Sequence, residues 1–198
     1  MPTVKGPAGV VLYQTDNVGE SVSSFTGEQQ VQSYEGVFWG LDVELPPLSR
    51  AEAAEWIAFL KSLRGKWGDF LAGDPVATAP RGVGTGTPLV KGASQTGREL
   101  ITDGWTISTT GILLADDPIQ LGTGASARLH TVLKDVNSDG GGNATLDIWP
   151  PLRESPADNA SITLSNTVGV FKLTDNTRKY SIGEAMMYGL SFSAREKI

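Results

Sequence analysis

Two segments at opposite ends of the chain alternate with a single apolar face, and neither has an equally good partner beside it. In residues 27–47, GEQQVQSYEGVFWGLDVELPP, one face carries Trp39, Leu41, Val43 and Leu45, and the other carries Gly40, Asp42 and Glu44. In the C-terminal segment Met186, Tyr188, Leu190, Phe192 and Ala194 share one face, opposite Met187, Gly189, Ser191 and Ser193. Period-two alternation with one apolar side is the pattern of a half-buried strand. A terminal strand of this kind needs a partner for its backbone groups, and the free candidate is the 37–45 strand. The pairing predicts a domain built from both ends of the chain and interrupted by residues 77–176.

Between these ends the sequence predicts one helix. Pro46 and Pro47 end the first strand, and Ser49 with Glu52 three residues later forms a capping box, with Leu48 just outside it. Ala53, Trp56, Ile57, Leu60 and Leu63 make an apolar stripe at helical spacing, and Gly65 is suited to the left-handed conformation that stops a helix. The expected helix spans 50–64 and packs its stripe on the sheet that holds Trp39 and Leu41. Trp67, Phe70 and Leu71 suggest a short strand. PVATAPRGVGTGTPLVKGASQTG then reads as a flexible connection, and LITDGWTIS, GILLADDPIQLG, ARLHTVLKDV, ATLDIWP, ASITLS and GVFKLT read as short strands between turns. The expected fold is mainly β: a β-sandwich of residues 1–76 and 177–198 with one packed α-helix, interrupted by a small inserted β-barrel or sandwich, residues 77–176.

Composition removes several kinds of chemistry. There is no cysteine, so disulfides, thiol catalysis and cysteine metal sites are excluded together. No run approaches the roughly 20 apolar residues of a membrane span. MPTVKGPAG lacks the basic start and apolar core of a signal peptide, which leads to the expectation of a protein made in a cytoplasm. The net charge of −6 reads as evenly spread between the two expected domains. No basic platform for sequence-independent DNA binding stands out.

The stretch DVNSDGGGNATLD opens like a calcium loop, with Asp135, Asn137 and Asp139 at alternate positions followed by Gly140. The twelfth position, which must supply a bidentate carboxylate, is Leu146, and Asp147 comes one place late. Both flanks have strand period, so the segment is expected to be a metal-free hairpin turn. The glycines of RGVGTGTPLV are followed by neither Lys-Ser/Thr nor a helix start, so they are not a phosphate cradle. His130, the only histidine, alternates opposite Leu129 and reads as a partly exposed strand residue with no triad around it. Asp116 with Asp117 would point to opposite sides of a strand, and Glu52 with Glu55 are first-turn helix acids rather than a glycosidase pair. Trp39 and Trp56 fall on apolar faces. Trp105 and Trp149 end strands near turns, where they could stack on a sugar or anchor an interface, with packing the simpler role. The expectation is therefore no catalytic residue, no cofactor and no metal.

Four stretches carry a resemblance: LDVELPPLSRAEAAEWIAFLKSLRGKWGDFLAGDP, GASQTGRELITDGW, RLHTVLKDVNSDGGGNATLDIWPPLR and YGLSFSAREKI. Together they resemble minor tail proteins of long-tailed phages and prophages, and most closely distal tail proteins. The resemblance covers residues 27–198 and is strongest from 47 to 153. It implies a non-enzymatic virion protein, assembled in the bacterial host cytoplasm. Such a protein closes into a homomeric ring, usually a hexamer, around the DNA channel and joins the tail tube protein to the tail hub or baseplate. DNA passes through the ring, without sequence-specific contacts and without any membrane. The inserted segment of about 100 residues is short for the family, which sets a receptor-binding role apart from what the resemblance implies. The alternative class is a carbohydrate-binding β-sandwich module on the virion surface that acts in host adsorption. A virion-associated glycosidase or peptidase is a third.

Overall fold

A computed structural model describes residues 1–2, 5–183 and 185–198, except the side chain of Glu35. In chain order the elements are β1 (Gly9–Val22), β2 (Gln29–Glu44), α1 (Arg50–Ser62), β3 (Asp69–Ala72), β4 (Gly86–Val90), β5 (Gly97–Trp105), β6 (Pro118–Leu121), β7 (Arg128–Val132), β8 (Ala144–Leu152), β9 (Ile162–Thr163), β10 (Gly169–Leu173), β11 (Tyr180–Ile182) and β12 (Tyr188–Glu196). The protein is mainly β with one α-helix among the described residues. The chain divides into two compact units: residues 2–68 with 172–198, and residues 69–171.

In the first unit β12 pairs antiparallel with β2, Phe192 opposite Val43 and Ala194 opposite Leu41. Residues opposite one another in a ladder share a face. Leu41, Val43, Leu190 and Ala194 accordingly form one buried surface. Met186 lies outside this strand, at φ 57° and 81% exposed, because β12 begins only at Tyr188.

On the other side β2 pairs with β1, a partner that the sequence pattern did not single out. Tyr13 stands opposite Gly40, and a Cβ on Gly40 would lie 2.1 Å from the Tyr13 ring. The aromatic ring covers the strand where the glycine offers no side chain.

The helix begins at the expected cap. Ser49 accepts the Glu52 backbone N–H, and the Glu52 carboxylate accepts the Ser49 N–H at 2.8 Å. The Ser49 N–H, and then the Ser49 hydroxyl that donates to the same carboxylate at 2.8 Å, hold the Glu52 carboxyl below its ordinary range. Trp56 and Leu60 are buried, and the Trp56 ring lies 6.2 Å from that of Phe192. The stripe therefore faces the sheet.

The helix ends at Ser62 rather than at residue 64, because Arg64 (φ 51°) and Gly65 (φ 72°) both turn left-handed. A Cβ on Gly65 would meet Asn176 Oδ1 at 2.5 Å, and that oxygen accepts the Lys66 N–H. Trp67 follows in a single 3₁₀ turn and is 74% exposed, so it belongs neither to a strand nor to the core.

In the second unit the strand order is β4-β5-β8-β7-β6-β9, and the bridge Leu89–Ser161 brings the two ends of the order together into a nearly closed barrel. Leu100, Ile112, Leu113, Ile119, Val132, Leu146 and Ile148 are fully buried within it. β3 and β10 lie beside each other, with the Phe70 and Phe171 rings 6.3 Å apart.

Candidate functional site

The side chains of the calcium-like loop are engaged by backbone N–H groups, of a neighbouring segment and of the loop itself. Asp135 accepts the N–H of Ala115 at 2.9 Å, and Asn137 accepts that of Gly111 at 2.7 Å. Asp139 accepts the N–H groups of Gly141 and Asn143, both at 2.8 Å, and the Asn143 side-chain amide. The Asn143 backbone contact, then its side chain, then Gly141, hold the Asp139 carboxyl below its ordinary range.

The three side chains that would share an ion instead accept four separate backbone N–H groups. Between β7 and β8 the chain makes a wide connection rather than a tight turn. It pairs with residues 105–113 through Ile112 N–H to Val136 O, Ser138 N–H to Thr109 O and Ser108 N–H to Asp139 O. Proximity to residues 105–113, which sequence spacing does not reveal, explains why the segment is so long.

The other candidates are also structural. Asp117 is 1% exposed and accepts the N–H groups of Arg81 (2.7 Å), Gly82 (2.9 Å) and Leu114 (2.7 Å), with Arg81 Nε at 3.6 Å. It pins RGVGTGT, as do Val83 N–H to Gly111 O and Gly84 N–H to Ile112 O, so this segment is an anchored wall of the second unit and not a flexible connection. Asp116 stands beside it at φ 71° and turns the chain.

His130 is 5% exposed, not partly exposed, and its Nδ1 lies 2.7 Å from Pro150 O. A carbonyl can only accept, so Nδ1 carries the proton. Both faces of β7 are covered, which alternation alone does not predict. Trp105 is 3% exposed and donates its indole N–H to Thr102 Oγ1, and Trp149 is 8% exposed. Neither presents a ring for stacking.

Two surfaces of the first unit remain, and sequence reading missed both. The first is the β1–β2 hairpin. Beyond the irregularity at Thr15/Asn17, the ladder Asn17–Val22 with Gln29–Tyr34 has no third strand among the described residues, and no described side chain from Gln14 to Gly36 is buried. Val18, Val22, Phe25, Val31 and Tyr34 are exposed on it, Phe25 completely.

The second surface is basic. Arg178 donates to Leu60 O at 3.5 Å, and Lys61, Arg178 and Lys179 line one cavity of about 170 Å³. Asp175 is held below its ordinary range chiefly by the Thr177 N–H, with the Asn176 N–H and the charges of Lys66 and Lys179 adding to it. Arg64 lies over the Trp67 ring at 5.3 Å. Five basic side chains from two distant segments thus lie near one another on this unit, where Arg178 and Lys179 also share a pocket with Asp42, Glu44 and Asp175. The even charge balance seen in the sequence does not hold at this scale.

No protein-family model matches the sequence, and no curated protein matches it.

Proposed function

We propose that this chain is a non-enzymatic structural component of a phage tail tip. In this reading it closes into a homomeric ring, most simply a hexamer, around the DNA channel and joins the tail tube to the distal hub or baseplate. The observation that carries the reading is the β1–β2 arm. An isolated two-stranded ribbon is marginal in water. One that exposes Phe25, Val18 and Val31 is built to be completed by another surface. The residues that could have supplied chemistry are engaged in holding the fold, which favours a building block over an enzyme. The resemblance to distal tail proteins adds the place of assembly.

The carbohydrate-binding alternative loses its two stacking residues, because Trp105 and Trp149 are buried. Cryo-electron microscopy of tails that contain this chain tests the proposal. A ring of this chain around the channel is the expected density. Its absence there, or density only in a peripheral spike, overturns the assignment.

A further inference from the structure

From Gly6 to Ser49 the sequence contains no lysine or arginine and six acids: Asp16, Glu20, Glu28, Glu35, Asp42 and Glu44. This run forms the β1–β2 hairpin; Asp42 and Glu44 lie at its base, in a pocket with Arg178 and Lys179 of the same copy, and the other four acids lie on the arm, whose β1 is the edge strand of its sheet. Natural edges are blunted by lysine, proline or a bulge. Here residues 8–45 have no lysine and no proline, and the irregularity at Thr15/Asn17 leaves six further paired positions beyond it, a ribbon about 20 Å long.

Two arms laid against each other would set acid against acid, so a two-fold pairing of arms is disfavoured. A basic partner is favoured, and this unit presents one in Lys61, Arg64, Lys66, Arg178 and Lys179, all exposed, with Trp67 and Tyr180 exposed alongside. Charge and apolar character match on both sides: Glu20 and Glu28 with Val18, Phe25 and Val31 on the arm, and lysines and arginines with two aromatic rings on the receiving surface.

We propose that the arm of one copy docks on this basic surface of the next copy. The two patches differ, so the contact can repeat head to tail and close a ring or extend a filament; a reciprocal exchange of arms would close at a dimer. Closure into a ring rests on the function proposed above; the contact itself does not.

The lack of cysteine makes the test direct. Ser24→Cys marks the arm and Thr177→Cys the basic loop, and the two single variants are mixed at low salt and treated with a short bismaleimide. The expected product is a cross-linked pair that contains one copy of each variant, and it fades as salt rises. Adding Glu20→Lys and Glu28→Lys to the arm variant should cut its yield about tenfold, and adding Lys66→Glu and Lys179→Glu to the other should restore it.

A yield no higher than that of the denatured mixture overturns the contact, as does one that ignores the charge reversals. So does capture of duplex DNA by the basic surface in place of the arm. A ring in tails without this cross-link removes the arm contact and leaves the ring. Cross-linked chains with no ring in tails do the reverse.

Discussion

The Glu196 carboxylate accepts the backbone N–H of Trp39 at 3.2 Å across 157 residues of sequence. Glu196 is 2% exposed, and it ends the strand that returns to β2. The bond fastens the last strand of the chain to the start of the buried stretch of β2. Glu196→Ala should leave that N–H without its charged acceptor and cost about 1–3 kcal/mol. Chemical denaturation measures this, and a loss under about 0.5 kcal/mol would class the position with surface substitutions.

Leu60 sits at the centre of the helix stripe and is 4% exposed. Leu60→Ala should cost about 2–5 kcal/mol, the range of buried leucine truncations. Ala54, exposed on the same helix, provides the control: Ala54→Ser should change stability by less than about 0.5 kcal/mol in the same denaturation experiment.

Asp117 holds three backbone N–H groups of two segments. Asp117→Ala strands them in a buried site and should cost about 3 kcal/mol or more. Amide hydrogen exchange at residues 81–84 should accelerate together with that loss. Unchanged exchange would show that the segment is held without Asp117.

Asp139 has its carboxyl held below the ordinary range. A lowered folded value means that its contribution is complete above the unfolded value, about 3.9, and is lost as pH falls through the folded one. Between about pH 5 and about pH 2 the wild-type connection between β7 and β8 should lose exchange protection. Asp139→Asn should show less of this loss. Equal acid sensitivity in both proteins would place the titrating group elsewhere.

The same segment should bind no calcium. Calorimetric titration should show no stoichiometric event, because Asp135 and Asn137 already serve Ala115 and Gly111. Micromolar binding removed by Asp135→Ala would reverse this conclusion.

Local chemistry carried its own signals in the sequence. The capping box of Ser49 and Glu52, the stripe through Trp56 and Leu60, and the matched faces of β2 and β12 depend on neighbours within a few residues or on a period that any reader of the chain can count. The pairing of β12 with β2 was legible for the same reason, since one unmatched half-buried strand requires another.

What lay beyond reach required distances that sequence spacing does not encode. His130 alternates like a surface residue and is buried because the second unit covers both faces of β7. Asp117 is one acid of an adjacent pair until Arg81 and Gly82 arrive from 36 and 35 positions away. The exposed arm and the basic surface were hidden by averaging. Lys61 and Lys66 lie more than a hundred residues from Arg178 and Lys179, and only the return of the chain beside α1 puts like charges together. Periodicity reports which side of an element is apolar. Which groups converge on one place is decided by tertiary packing, because convergence depends on the whole path of the chain.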